Sequence, residues 1–229
     1  MCLKYLKSSV GRKAVMAISG IFLFGFVIAH LLGNLQVFIG QEALNSYAQH
    51  LQELAFLLWP ARVFLIAVLV VHIFVSISLA QENRKARPVR YKYQDTVQAS
   101  YASRVMVMSG VLVFAFIIFH LAHFTFGLTH PQYFKLLDGK GRHDVYSMMV
   151  MSFRDWVVAG SYVIAMGFLC LHLSHGLSSM FQSLGLNNEK AMGKLNAGGK
   201  LLALFIFAGY ISIPVAAFLN FIKLPNAGG

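Results

Sequence analysis

Five stretches of this chain run for about twenty residues or more with almost no charge, at about 14–41, 63–81, 105–129, 156–182 and 201–222. A helix needs about 20 apolar residues to cross a hydrocarbon core, and it alone satisfies every backbone hydrogen bond within one segment. The expected fold is therefore an all-α integral membrane protein, a five-transmembrane-helix bundle forming one membrane domain over 1–229. The balance of residues agrees. Hydrophobic residues make up 58% and charged residues 12%, where a water-soluble domain carries about 25% charge. The first stretch is too long for a cleaved signal peptide and lacks a small-residue cleavage site before the chain turns polar.

A formal charge of +11 would suit nucleic acid if it formed one soluble face, but the basic residues lie between the spans. They sort by side. Lys4, Lys7, Arg12, Lys13, Arg84, Lys85, Arg87, Arg90, Lys92, Arg104, Lys190, Lys194 and Lys200 fall on one side of the membrane. Only Arg62, Lys135, Lys140, Arg142, Arg154 and Lys223 fall on the other. Retention of the basic side within the cell puts the N-terminus in the cytoplasm and the C-terminus outside. The stretch ENRKARPVRYKY between the second and third spans belongs to the inner side, where it is simply solvated or meets acidic lipid or a partner. Cys2 and Cys170 sit at the cytoplasmic tip and inside the fourth span, so they form no disulfide framework or thiolate site; Cys170 reads as a small packing residue.

Between the first two spans, Leu44, Tyr47, Leu51, Leu54 and Leu58 recur at helical spacing, which predicts an amphipathic surface helix over about 43–58. Trp59 and Pro60 then mark entry to the second span. The run Val145 to Phe153, after the turn signal at Asp138 to Gly141, predicts a second surface helix. The last span holds no histidine, and Pro214 should kink it.

Ionisable residues inside a bilayer are costly and mark functional sites. Six histidines lie in the spans: His30, His72, His120, His123, His172 and His175. At 1.5 Å of rise per residue, His30 and His120 lie roughly 24 and 22 Å from the cytoplasmic ends of their helices, and His72 and His172 roughly 12 and 14 Å. That makes two layers with two helices contributing to each. Two imidazoles on opposite sides of a flat ring are what a six-coordinate haem iron requires. A zinc or copper site would want three or four ligands in one layer, with acids or thiolates among them. His123 and His175 stand three residues after a candidate ligand; either member of each pair could hold the metal, and the other could pack or donate a hydrogen bond. The intervals His30 to His72 and His120 to His172 are 42 and 52 residues, consistent with a duplicated helical hairpin.

The stretches SSVGRKAVMAISGIFLFGFVIAHLLGNLQVFIG, AVLVVHIFVSISLA, GVLVFAFIIFHLAHFTFG and FLCLHLSHGLSSMF resemble the diheme cytochrome b membrane-anchor subunit of succinate dehydrogenases and fumarate reductases, the cytochrome b558 family. The resemblance covers essentially the whole chain, and the first stretch is the most specific. It implies two haem b groups with axial ligands His30, His72, His120 and His172, paired His30 with His120 in the outer layer and His72 with His172 in the inner. It further implies a bacterial inner membrane, a flavoprotein subunit carrying FAD, an iron–sulfur subunit, and electrons passing through both haems to a quinone, menaquinone by expectation. The dicarboxylate site would belong to the partners, since this chain holds no dinucleotide motif or cysteine cluster. Some relatives place a glutamate near an outer quinone site as proton acceptor, and Glu53 is its nearest counterpart, although it could equally just solvate the surface helix. The rival readings are the cytochrome anchor of a hydrogenase or formate dehydrogenase, and a small transporter with packing histidines.

Overall fold

A computed structural model of the protein describes residues 8–86, 101–186 and 189–225. The first long helix, α1 (Ser9–Asn34), starts where the Ser8 side chain accepts the Gly11 amide at 3.0 Å. It runs into a 3-10 turn, Leu35–Phe38, and stops at Gly40, whose φ of 132° favours a residue without Cβ. There follow α2 (Gln41–Glu53), α3 (Ala55–Lys85), the short α4 (Tyr101–Arg104) and α5 (Met106–His120), which continues as a π-helical turn, Leu121–Thr125. The chain closes with α6 (Pro131–Phe134), α7 (Val145–Phe153), α8 (Trp156–Ser183) and α9 (Glu189–Phe218).

Among the described residues, five segments are long and apolar enough to cross a membrane: Ser9–Phe38, Ala55–Lys85, Met106–Thr125, Trp156–Ser183 and Met192–Phe218. The chain is a multi-pass helical membrane protein. Its exposed surface agrees, because Phe56, Phe64, Ile66, Val70 and Phe74 of α3 all face outward, a patch untenable in water and ordinary against lipid.

Two hairpins organise the bundle. The first pairs α1 with α3, the second pairs α5 with α8, and α9 packs along α8. Tyr210 ties α9 to α1 by donating its hydroxyl to the Val27 carbonyl at 2.7 Å. At one end, termed the capped end, α2 and α7 cover the bundle; Val37, Leu44, Tyr146, Val150, Phe153 and Ile213 form a continuous apolar core beneath them. At the opposite, open end, Arg12 of α1 reaches α3, donating to Ser78 Oγ at 2.9 Å and to Glu82 Oε2 at 2.8 Å.

Several sequence expectations need correction. The amphipathic helix ends at Glu53 rather than near 58, because Leu54 (φ −82°, ψ 37°) leaves the helical region and a new helix begins at Ala55. Trp59 and Pro60 consequently lie inside α3, and not in a connection before it. The helix at Val145–Phe153 forms, but it is no surface helix: Tyr146, Met148, Met149, Val150 and Phe153 are buried, as an all-round apolar helix must be. The last span starts well before 201 and ends at Phe218, with Pro214 buried inside it. Helices outrun the apolar windows because their backbones continue through polar interfacial turns that hydropathy does not register. Residues 87–100, with most of the basic stretch, lie outside the described residues, as do Cys2, Lys4 and Lys7.

The cap is held by a polar network. Asn45 of α2, fully buried, donates to Asp144 Oδ1 at 2.9 Å and accepts the Tyr146 amide at 3.0 Å, while Gln41 donates to Asp144 Oδ2 at 2.8 Å. Asp144 also caps α7 through the Ser147 amide at 3.0 Å. Outside this core, Arg142 reaches Glu42 at 2.7 Å and Asp138 at 2.7 Å, and Lys140 reaches Glu42 at 2.7 Å. Burial pushes the Asp138 carboxyl up, but its bonds to Arg142, Lys140 and Asn45 outweigh this and hold it well below the usual carboxylate range. Hydrogen bonds from Arg142 and then Lys140 pull the Glu42 carboxyl down from 4.5 to about 2. A depressed carboxylate stabilises the fold above its unfolded pKa and loses that contribution as pH falls through the folded one. Protection factors of residues 136–144, exchange rates corrected for the intrinsic pH dependence of amide exchange, should therefore be constant above pH 4.5 and fall between 4.5 and about 2. Glu42→Gln should show lower protection at neutral pH and a smaller fall across that window, the remainder belonging to Asp138.

Candidate metal centres

The four histidines of the hairpin helices meet in two pairs. The rings of His30 on α1 and His120 on α5 stand 5.7 Å apart, centre to centre, with their planes at 87°. Those of His72 on α3 and His172 on α8 stand 6.4 Å apart at 65°. Each pair bridges the two hairpins, and in neither are the rings stacked on one another.

The inner architecture of the two hairpins repeats. Residues 16–30 and 106–120 share Met16/Met106, Ser19/Ser109, Gly20/Gly110, Phe24/Phe114, Phe26/Phe116, Ile28/Ile118 and His30/His120 at the same spacing. In the first hairpin Ser19 Oγ lies 2.9 Å from His72 Nδ1; in the second Ser109 Oγ lies 3.5 Å from His172 Nδ1. A methyl group at Gly20 would stand 3.6 Å from His72 Cε1, and one at Gly110 would stand 3.3 Å from His172 Cε1. Gly110 thus leaves room for the His172 imidazole that a methyl group would narrow, whereas at Gly20 a methyl would make ordinary contact. Since Ser19 abuts one pair and His30 belongs to the other, eleven residues of α1 separate them, about 16 Å of rise. The pairs form two tiers, and His30/His120 is the tier toward the capped end.

Hydrogen-bond direction settles which ring nitrogens stay bare. Ser19 donates its only hydroxyl proton to the Met16 carbonyl at 3.0 Å, and Ser109 donates to the Met106 carbonyl at 3.0 Å. With its hydroxyl proton on that carbonyl, each serine oxygen accepts from Nδ1–H, and this is the tautomer of His72 and His172 that presents an unprotonated Nε2. Tyr162 of α8 plays the corresponding part for His120, its hydroxyl lying 3.2 Å from His120 Nδ1 and 3.1 Å from His123 Nδ1. His123 Nε2 in turn meets His130 Nδ1 at 3.2 Å. When His120 donates to Tyr162, Tyr162 donates to His123 and His123 donates to His130, His120 Nε2 is left bare and both nitrogens of His123 are used.

This arrangement fits an iron porphyrin. A first-row metal binds an imidazole nitrogen at about 2 Å, which sets two trans rings about 6 Å apart centre to centre, close to the spacings seen. Ligating histidines characteristically donate their second N–H to a fixed acceptor, which the serines and Tyr162 supply. Among the described residues, no three His, Cys, Asp or Glu side chains gather as a metal site, so the donors come as imidazole pairs.

The remaining sequence candidates lie apart from the pairs. His123 is buried, and its ring is committed to Tyr162 and His130. His175 is half-buried about one turn beyond His172 on the same helix, near enough to interact with it electrostatically. Glu53 is exposed at the end of α2, where its carboxylate accepts from Gln49 at 2.9 Å. Sequence reasoning missed Ser19, Ser109 and Tyr162. The serines carry a readable signal, each standing eleven residues before a span histidine. Tyr162 precedes His172 by ten residues, but the matching position before His72 holds Arg62, which lies over the Trp59 ring at 5.1 Å.

A cleft of about 410 Å³ opens beside His130, lined by Phe119, Thr129, Asp155, Val157, Val158 and Ser161. It lies where α5 ends and α8 begins, next to the chain of hydrogen bonds that leads to His120.

The fold and site together define a five-span membrane protein with two interhelical histidine pairs. Comparison with protein-family models, curated proteins and solved structures finds no match. Removing the shared hydroxyl in Tyr162→Phe leaves His120 and His123 without their partner. Polar contacts inside membrane bundles contribute about 0.6 and at most about 1.7 kcal/mol; a loss of about 1 kcal/mol in detergent unfolding is expected, larger than for Tyr133→Phe outside the spans.

Proposed function

We propose that this chain is the membrane anchor and electron conduit of a succinate:quinone oxidoreductase, holding two haem b groups in a bacterial inner membrane with its N-terminus in the cytoplasm. The observation that carries the reading is the two-tier pairing of His30 with His120 and His72 with His172, with Nε2 left bare where a hydrogen bond fixes the second nitrogen. Basic residues concentrated at the open end support a cytoplasmic position for that end, which makes the His72/His172 tier the inner one.

When bound, haem supplies reversible one-electron transfer between an iron–sulfur partner on the cytoplasmic side and quinone. His30, His120, His72 and His172 would hold the two irons. Ser19, Ser109 and Tyr162 orient three of these rings and accept their Nδ1 protons. Phe26 stacks on the His30 ring at 5.3 Å, and Tyr210 holds α9 against α1 on the same side, its ring 6.4 Å from that of His30. A flavoprotein subunit with FAD and an iron–sulfur subunit would dock at the open end, and succinate would be oxidised, or fumarate formed into succinate, on those partners.

The cleft beside His130 is the proposed place for the quinone, menaquinone by resemblance. Its apolar walls of Phe119, Val157 and Val158 suit a ring and isoprenoid tail, and His130 offers an N–H to a carbonyl oxygen. That assignment favours His130 over Glu53, which lies exposed on the surface helix. His130→Leu should lower quinone turnover at least about a hundredfold, the lower end of the range for a lost acid–base group, with both haems retained; Glu53→Gln should leave turnover unchanged.

The decisive measurement is haem per purified chain. Two haems reducible by succinate in the intact complex are expected, and copurifying flavin separates this reading from a hydrogenase or formate dehydrogenase anchor. Alanine at His30, His72, His120 or His172 should remove one haem each, whereas His123→Ala and His175→Ala should keep both. A colourless protein, as a small transporter would be, rejects the reading.

A further inference from the structure

We propose that Ser19 and Ser109 are positioning residues that fix the ring angle and the electron-donating strength of His72 and His172, and so set the redox potential of the haem this tier holds. The inference rests on the haem reading above and goes beyond it, because the serines touch no metal.

Three observations carry it. The constellation is built twice: serine, glycine and an i−3 carbonyl acceptor on the first helix of each hairpin face the histidine of the second helix. Both serines are sealed from water, at 6% and 0% exposure, so no solvent molecule can take their place. Each hydroxyl is also already spent on a carbonyl. A hydroxyl that donates in one direction is polarised into a stronger acceptor in the other, which draws the Nδ1 proton outward and makes Nε2 a better donor to iron. Such outer partners govern ligand basicity and the potential of the metal.

The other tier lacks this device. His120 shares one phenol with His123, and among the described residues no side-chain hydrogen bond to the His30 ring is formed. The two haems would therefore respond differently to loss of the serines. Without the hydroxyl, the imidazole donates less, the ferric state loses stabilisation and the potential rises. The ring is also freed to turn from its 65° angle to its partner.

The test compares the haem-loaded full chain, in wild-type form and as Ser19→Ala, Ser109→Ala, both together, Ser19→Thr and Ser109→Thr. Midpoint potentials are read by spectroelectrochemistry, and the largest g value of each ferric low-spin signal is read by EPR as a report on the angle between imidazole planes. The expected result is an upward potential shift and a moved g value for one haem only in each alanine variant, larger in the double variant. The threonine variants, which keep a hydroxyl, should match wild type. Unchanged potentials in the alanine variants, equal shifts in both haems, or threonine behaving as alanine would each overturn the proposal, as would haem lost with alanine and not regained with threonine. A wild-type chain that binds no haem would instead reject the underlying reading, which the haem count reports separately.

Discussion

An imidazole in hydrocarbon needs a destination for each ring nitrogen, and that requirement shapes most of what lies between the helices. Nδ1 of His72 and of His172 ends on a serine oxygen, and Nδ1 of His120 ends on Tyr162. In each pair the ring of one hairpin meets the ring of the other, 5.7 and 6.4 Å apart between centres. Gly110 occupies a place where a methyl group would crowd the His172 ring, at 3.3 Å, while one at Gly20 would make ordinary contact with His72, at 3.6 Å. Close packing is left to α9, which fills the groove along α8 with Ala203, Ile206 and Ile213.

The capped end follows a different logic. There the chain carries buried polar groups rather than a sheath of lipid, and among the described residues all but the Ser152 hydroxyl of α7 are matched. Asn45 uses both ends of its amide, Asp144 accepts from α2 and caps α7, and Arg142 is gripped by two carboxylates. Exposed ion pairs such as Lys140 with Glu42 add little at physiological salt. The buried amide and carboxylate matter more, because breaking them would leave donors and acceptors stranded under an apolar lid.

The five spans were legible because lipid imposes a long, uncharged signature that little else produces. The histidine tiers were legible too, since position along a straight helix converts directly into depth. Helix ends were not, as the misplacement of Leu54, Trp59 and Pro60 shows: the break depends on one residue's backbone angles, which neither hydropathy nor helical spacing reports. Burial of α7 escaped for a related reason, because an apolar run beside a polar loop reads the same whether lipid or protein covers it. Ser19, Ser109 and Tyr162 are short or amphipathic side chains whose roles exist only once two helices meet. Glu53 was chosen by its place in the chain, and geometry leaves it on the surface beside Gln49.

Equivalent residues of the two hairpins pair with each other, His30 with His120 and His72 with His172, as across the isologous contact of a symmetric dimer. Each pair thus takes one ring from each hairpin, and the repeated residues 16–30 and 106–120 bring like surroundings to both. Arg62 and Tyr162 occupy matching places and share neither size nor charge. At the capped end the two hairpins are therefore not interchangeable, since one places a cation where the other places a phenol.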